Sequence, residues 1–250
     1  MKKEGNQSKI KALFQNKVFT LLCLWLAMVI MFTIWAACRN TTFLKLSVFK
    51  NILNSLVVPG FLTIGAGCLL IAGHLDLSQA AIGAFGSMVL ATAIKSWALP
   101  WYMAIILCLI MCSAFGLING LMVVKLHFPS FIGTLAMASM VKGLMYLFSA
   151  MGNNGVAANI NFSNSVTGFL GSGTIGGIPF CVILVIIAFI IFGLLMSKTA
   201  FGMKVTFLGG NPVAATLAGI NASALIILLF VLSGFMGGVG GIIYSSRLSQ

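Results

Sequence analysis

The sequence has 250 residues, and its charged residues are both sparse and unbalanced. Fourteen lysines and arginines stand against two acidic residues, so that 6% of the chain is charged, whereas soluble domains have about 25%. Hydrophobic residues make up 60%, above the usual share of roughly 45–50%. So few polar groups could not cover a soluble protein, and a disordered chain would be more polar. The composition therefore predicts a polytopic membrane protein.

The net charge of +12 does not indicate nucleic-acid binding, because the basic residues are scattered between apolar segments. The exception is a basic N-terminal tail, with Lys2, Lys3, Lys9, Lys11 and Lys17. The uncharged segment that follows is long enough to span a bilayer, which argues against a cleaved signal peptide. We therefore predict a cytoplasmic tail at residues 1–17 and a transmembrane domain at residues 18–250.

Several apolar segments are candidate membrane spans, and all should be helical because open strand edges would leave backbone groups unpaired in lipid. They are Val18–Cys38, Asn51–Ala72, Leu77–Ile94, Trp101–Val124, Phe128–Ala150, Phe180–Met196 and Ala224–Tyr244. The predicted fold class is therefore all-α, a polytopic transmembrane helical bundle.

The connections between these segments set the predicted orientation, because lysine and arginine are enriched on the cytoplasmic side. With the tail inside, the inner connections contain Lys125, Lys198 and Lys204. The outer side collects Arg39, Lys45, Lys50, Lys95 and Arg247. Residues 152–179 are rich in Gly, Asn and Ser and carry no charge, which agrees with an outer location.

The second and third segments are the least regular. Pro59-Gly60 and Gly65-x-Gly67 interrupt the second, and residues 73–78 join it to the third. Such clustering predicts a broken helix, which is tolerated at membrane depth only where protein or a water-filled cavity covers it. A plain turn between two helices is the alternative.

Small residues at a spacing of four predict close helix packing. Gly116 and Gly120 form one pair, and Ser233, Gly237 and Gly241 form a longer row. Because lipid does not drive helices together as water does, close backbone approach matters more. These faces should pack against other helices, in this chain or in a partner.

Three polar residues in apolar surroundings are candidates for a translocation path or for a structural role. Asp76 is the only acidic residue beyond the tail, and its alternative role is to cap the helix that follows. Ser78 could form the same cap. Lys142 lies inside the fifth segment, where its side chain either extends to the interface or faces the bundle interior.

The residue types that an enzyme or a metal site requires are scarce. His74 and His127 have no second histidine at a helical spacing, and the six cysteines lie in or beside apolar segments without a CxxC motif. With two acidic residues in the chain, general acid–base catalysis has few candidates. We predict no catalytic residues, no metal site and no cofactor.

Residues 201–221 contain a short helix that cannot span a membrane. Asn211 suits the N-cap, Pro212 the first helical position and Gly219 the stop, which places the helix at residues 213–218. On the predicted inner side such a helix is either a docking element or an ordinary interfacial helix.

This segment, together with three others, resembles the permease subunits of sugar-importing ABC transporters. The matching segments are Ala72–Ser78 (AGHLDLS), Phe131–Gly143 (FIGTLAMASMVKG), Leu208–Asn221 (LGGNPVAATLAGIN) and Ser233–Leu248 (SGFMGGVGGIIYSSRLS). Their order and spacing are also similar over roughly residues 50–250. The resemblance is greatest to the branch that imports ribose, xylose, galactose, arabinose and autoinducer-2.

The resemblance implies a subunit of an ATP-driven importer in the prokaryotic inner membrane. Two permease chains would form one path for a monosaccharide such as ribose, two ATPase subunits would dock below, and an extracytoplasmic binding protein would deliver the sugar. The coupling helix seated on the ATPase would comprise Gly209, Gly210, Asn211, Pro212, Ala214, Ala215, Gly219 and Ile220. Lys142 matches a position that is basic in relatives.

The sequence also departs from the family pattern. His74 replaces an isoleucine, and residues 79–81 differ from the usual Val-Gly-Ser, so that the sugar stays open. Family members continue beyond the Arg-Leu-Ser segment, and we expect the chain to be truncated at its C-terminus. The alternatives are a self-sufficient channel or secondary carrier, a permease for a nucleoside or a branched-chain amino acid, and a membrane enzyme.

Overall fold

The computed structural model describes residues 17–39, 41–43, 45–151, 155–156, 160, 162 and 164–248. The predicted basic tail therefore lies, apart from Lys17, outside the described residues. The described chain forms two compact units, one up to Ile52 and one from Leu53 onward.

The described residues form ten helices and one two-stranded sheet. The helices are α1 (Lys17–Cys38), α2 (Leu46–Ile71), α3 (Gln79–Lys95), α4 (Trp101–Lys125), α5 (Ser130–Met151), α6 (Ser165–Ser172), α7 (Phe180–Lys198), α8 (Ala200–Gly210), α9 (Pro212–Leu217) and α10 (Ala222–Leu248). Strands β1 (Thr174–Ile175) and β2 (Ile178–Pro179) pair antiparallel, with Ile175 opposite Ile178. The predicted all-α bundle is confirmed, with this short hairpin as the addition.

Six of the helices are long and apolar enough to cross a membrane: α1, α2, α4, α5, α7 and α10. The third predicted span is instead the 17-residue helix α3. At 1.5 Å per residue, α3 is about 26 Å long, shorter than the roughly 30 Å hydrocarbon core of a bilayer. Helix α3 therefore leaves part of the hydrocarbon thickness to the non-helical segment that precedes it.

The first unit consists of α1 and the chain that follows it to Ile52. Most apolar side chains of α1 are exposed, although Ala36 is buried. The Phe32 ring stacks on Phe43 at 5.9 Å between centroids, and the Arg39 guanidinium lies 5.5 Å from the Trp35 ring centroid. This aromatic and basic end of α1 is typical of a membrane–water interface.

The second unit is built around α10. This helix packs against α4 and α3, and α3 also packs against α4 and α5. The predicted row of small residues explains the close approach: a Cβ at Gly116 would collide with the backbone of Phe230, and one at Gly241 with the backbone of Gly83. The predicted packing faces are therefore confirmed, and they pack within this chain.

Helix α2 passes through Pro59 and Gly60 without interruption, so the predicted break inside the second segment is wrong. A proline lacks an N–H group and kinks rather than ends a membrane helix when its surroundings compensate. The non-helical backbone lies further on, at residues 72–78, and a second discontinuity at Thr199 separates α7 from α8.

One end of the second unit collects the C-terminal ends of α2, α4 and α7 together with α8 and the start of α10. Its apolar cluster includes Leu69, Val123, Met196, Leu208 and Ala222. We call it the predicted inner end, since the lysine and arginine distribution assigns it to the cytoplasm.

Candidate functional site

The connection between α2 and α3 begins with a well-formed helix stop. Gly73 has a positive φ of 82°, its N–H donates to the Leu70 carbonyl, and the His74 N–H donates to the Leu69 carbonyl. These two bonds form a Schellman motif, which favours glycine because the left-handed conformation strains other residues. The chain therefore leaves α2 by a sharp turn.

The rest of this connection is held by side chains of α5. The Leu75 N–H donates to Ser130 Oγ at 3.2 Å, and the Leu77 N–H donates to Thr134 Oγ1 at 3.1 Å. Irregular backbone cannot be left unpaired in a membrane, because each unsatisfied group costs several kcal/mol there. The two hydroxyl groups thus accept the hydrogen bonds that carbonyl groups would accept in a regular helix.

Asp76 is the centre of a polar network. Its Oδ1 accepts from the Ser78 N–H at 2.9 Å and from the Ser78 hydroxyl at 2.6 Å, and its Oδ2 accepts from the Ser233 hydroxyl at 2.6 Å. All these donors are neutral. A carboxylate that accepts several short bonds is held in one orientation, so the network ties the connection to α10.

The contact with Ser233 also sets the depth of Asp76. Ser233 lies about 17 Å along α10 from Ala222, at 1.5 Å per residue. Asp76, which is half-buried, therefore lies well along the span and not at the end of α10. Intramembrane acidic residues are rare and face the bundle interior or a water-filled cavity.

Neither Asp76 nor Ser78 caps α3 in the way the sequence suggested. Ser78 occupies the N-cap position, but its side chain forms no cap hydrogen bond. Its hydroxyl donates to Asp76 instead, and Asp76 accepts from the Ser78 N–H, not from the first turn of α3. The capping interpretation is therefore wrong for Ser78, because its φ and ψ of −83° and −15° are helical, whereas a capping residue is typically extended.

Two further polar residues belong to this network and were not singled out from the sequence. Asn119 of α4 is fully buried and its Nδ2 donates to Ser78 Oγ at 2.8 Å. Gln79 is buried as well, and its Nε2 donates to the Ser233 carbonyl at 3.3 Å. An asparagine inside an apolar span is the signal that could have identified the first.

Lys142 lies elsewhere on the unit. It belongs to α5, about 12 Å of helix beyond Thr134, and its side chain is exposed. The structure brings Asp76 and Ser78 together but does not bring Lys142 into their network.

The short helix predicted after residue 210 is present as α9. Asn211 Oδ1 accepts from the Val213 and Ala214 N–H groups at 3.1 and 3.0 Å, and Pro212 is at the first helical position. At the other end Gly219 has a φ of 81° and forms, with Ile220, a second Schellman motif. The predicted caps are confirmed.

One side of α9 is anchored and the other is free. Ala215 is 1% exposed, whereas Val213 is 71% and Leu217 is 85% exposed. These two residues are four apart, so they lie on the same face of the helix. Exposed apolar groups on so short a helix form a surface suited to a partner.

The anchoring of α9 connects it with the remainder of the inner end. Ile220 packs in one cluster with Leu69 of α2, with Ala72 just beyond α2 and with Leu229 of α10. Gly209, just before α9, lies against the Ile71 backbone so closely that a Cβ would not fit. A displacement of α9 would therefore act on the end of α2 and the start of α10.

The described part of the chain offers few groups for a metal site or for catalysis. Within the described ranges there is no cluster of three or more His, Cys, Asp or Glu side chains. Four of the cysteines, Cys68, Cys108, Cys112 and Cys181, are buried and fill apolar contacts.

Apolar spans, a half-buried polar connection between two of them and an exposed capped helix at one end are features that suit a membrane permease. The sequence profile of the family described as branched-chain amino acid transport system / permease component matches residues 48–250. The chain belongs to this permease family, whose members are transmembrane transport subunits.

Individual relatives agree with this membership. An L-arabinose ABC transporter permease protein of Azospirillum brasilense is 34% identical over 80% of this chain and 57% of its own length. A ribose import permease protein of Bacillus subtilis is 32% identical over 99% of this chain and 75% of its own length. A galactose/methyl galactoside import permease protein of Haemophilus influenzae is 28% identical over 96% of this chain and 76% of its own length.

The chain thus spans between about half and three quarters of the length of these relatives. No solved structure is significantly similar to it. Family membership confirms the predictions of a multi-pass inner-membrane permease and of a transport subunit rather than an enzyme.

Proposed function

We propose that this chain forms the translocation path of an ATP-driven importer for a monosaccharide, with a ribose-like sugar as the first candidate. Relatives named for ribose, L-arabinose and galactose support a sugar as substrate. The family implies ATPase subunits, an extracytoplasmic binding protein and a second permease chain as partners. The single observation that supports this proposal best is the exposed apolar face of α9.

In this proposal α9 is the coupling helix. Val213 and Leu217 contact the ATPase, while Asn211 and Gly219 fix the two ends of the helix. Gly209, Gly210, Pro212, Ala214, Ala215 and Ile220 shape or anchor the same element. An apolar pair on a rigid, capped helix can bind in a pocket at little cost in conformational entropy.

The polar network around Asp76 is the second part of the mechanism. A movement of α9 is transmitted through Ile220 and Leu229 to α10, which carries Ser233. Ser233 donates to Asp76, so the connection at residues 72–78 moves with α10. Asp76 and Ser78 thereby couple the ATPase side to the bundle interior, and ATP and binding protein would favour different arrangements.

Lys142 has a separate role in this proposal. Its exposed position midway along α5 would place an ammonium group in lipid if the chain acted alone, which is costly. We assign it to the path, facing water and the second permease chain.

The substitution Leu217→Asp tests the coupling role. A centrally placed apolar contact in an interface is worth about 2 kcal/mol, so the variant should bind the ATPase roughly thirtyfold more weakly. Sugar uptake should fall with it, while the amount of permease in the membrane stays constant. The measurement is ATPase co-purification together with ATP-driven uptake.

Ile178→Asp is the matched control. It introduces the same charge at an exposed apolar position of β2, outside α9. Normal ATPase binding and uptake by Leu217→Asp, or equal losses in both variants, would contradict the assignment of α9.

A further inference from the structure

The predicted inner end has a cavity beside α9, and Gly210, Asn211 and Ala214 of the proposed coupling helix form one side of it. Its volume is about 720 Å³, and it is lined by the last turn of α7, one side of α8 and the start of α9. The lining residues that matter here are Ser197, Lys198, Met203, Phe207 and Asn211. We infer that this cavity binds the headgroup of an anionic phospholipid.

Three polar side chains of the cavity can donate hydrogen bonds to a ligand. Lys198 supplies an ammonium group, and Ser197 an exposed hydroxyl. Asn211 Oδ1 is already occupied by the N–H groups of α9, so the amide NH₂ is the part of this side chain that remains for a ligand.

The two threonines that line the cavity have hydroxyl groups committed elsewhere. Thr199 Oγ1 donates to the Leu195 carbonyl, and Thr206 Oγ1 donates to the Gly202 carbonyl. None of the described lining residues is acidic. A set of free donors around one cation suits a phosphodiester, whose oxygens only accept hydrogen bonds.

The remainder of the cavity is apolar and adjoins the exposed apolar side of α7. Met196, Met203 and Phe207 form its apolar wall. Above them α7 exposes Ile187, Ile190, Ile191 and Leu194 along the membrane span. A ligand with a phosphate and acyl chains fits both the polar side chains and the apolar wall. Free phosphate would contact only the polar side chains.

The position of Lys198 agrees with this ligand. It is in the last turn of α7, where a membrane helix meets the headgroup region. Basic pockets on the cytoplasmic side of membrane proteins bind anionic headgroups, and one lysine near the surface contributes enough to change affinity about fivefold.

The test compares lipid binding to the purified permease by native mass spectrometry. Phosphatidylglycerol and phosphatidylcholine with identical acyl chains are titrated separately, and inorganic phosphate is added as a competitor. We expect the wild type to bind phosphatidylglycerol more tightly than phosphatidylcholine, with no displacement by phosphate. Lys198→Gln should lose about fivefold in affinity for phosphatidylglycerol alone.

Two further variants make the result specific. Lys204→Gln removes an exposed lysine of α8 that does not line the cavity, and it should bind as the wild type does. Ala200→Phe fills the cavity while retaining Lys198, and it should lose binding.

Four results would overturn the inference. They are equal binding of the two lipids to the wild type, equal losses in Lys198→Gln and Lys204→Gln, displacement of the lipid by inorganic phosphate, and unchanged binding in Ala200→Phe. Loss of lipid when an ATPase subunit binds would assign the cavity to that subunit and would overturn it as well. None of these results depends on sugar uptake, so they are separate from the test of α9.

Discussion

Helices α7 and α10 show how differently two apolar helices are used. In α7 most residues are large and apolar, yet only 11% of its spanning segment is buried. In α10 glycines and serines interrupt the apolar residues, and 61% of its spanning segment is buried. The less hydrophobic helix is therefore the one at the centre.

The difference follows from the solvent. In lipid a leucine gains little by leaving the hydrocarbon for the protein interior, so large apolar residues can face outward. Small residues allow backbones to approach, and polar side chains find partners only inside. Helix α10 has both, and this is why the Asp76 network forms on it.

The largest expected effect comes from filling the space between α10 and α4. A Cβ at Gly234 would collide with the Cys112 carbonyl and the Gly116 backbone, so Gly234→Leu must separate two helices. Overpacking typically costs about 1–3 kcal/mol, and rigid backbone neighbours place this variant at the upper end. The free energy of unfolding in detergent measures the effect.

Gly193→Leu of α7 is the control for that variant. A Cβ at Gly193 meets nothing within 4 Å, so the same substitution should leave stability unchanged. If both variants lose the same stability, the contrast between the two helices is wrong.

A smaller effect is expected from the serines. Ser233→Ala removes the donor to Asp76 Oδ2 and should lower the free energy of unfolding by about 1.5–3 kcal/mol, the usual range for hydrogen bonds to charged groups. Ser197→Ala of α7 changes an exposed hydroxyl and should be neutral. A neutral Ser233→Ala would show that Asp76 does not depend on α10.

Much of the fold could be predicted from the sequence, because hydrophobic length is a strong signal for membrane helices. The positions of α1, α4, α5, α7 and α10 agree with the predicted spans to within a few residues. The predicted break in the second segment was misplaced. Pro59 removes one N–H group from α2, and contacts with neighbouring helices determine whether the helix continues past it.

The candidate site was predicted less evenly. Asn211, Pro212 and Gly219 are local signals, and the structure confirms the helix they predict. The partners of Asp76 are distant in sequence: Ser233 follows it by more than 150 residues, and Asn119 reaches it through Ser78. Such contacts depend on how helices pack, which spacing within one segment does not encode.

The central claim is that this chain carries a sugar only when an ATPase drives it. Proteoliposomes containing the permease, its ATPase subunits and its binding protein should take up radiolabelled ribose, L-arabinose or galactose. We expect uptake of at least one of these sugars to require hydrolysable ATP, and to stop when a hydrolysis-deficient ATPase replaces the active one. Uptake that persists without the ATPase would contradict the account and would establish a channel or a secondary carrier.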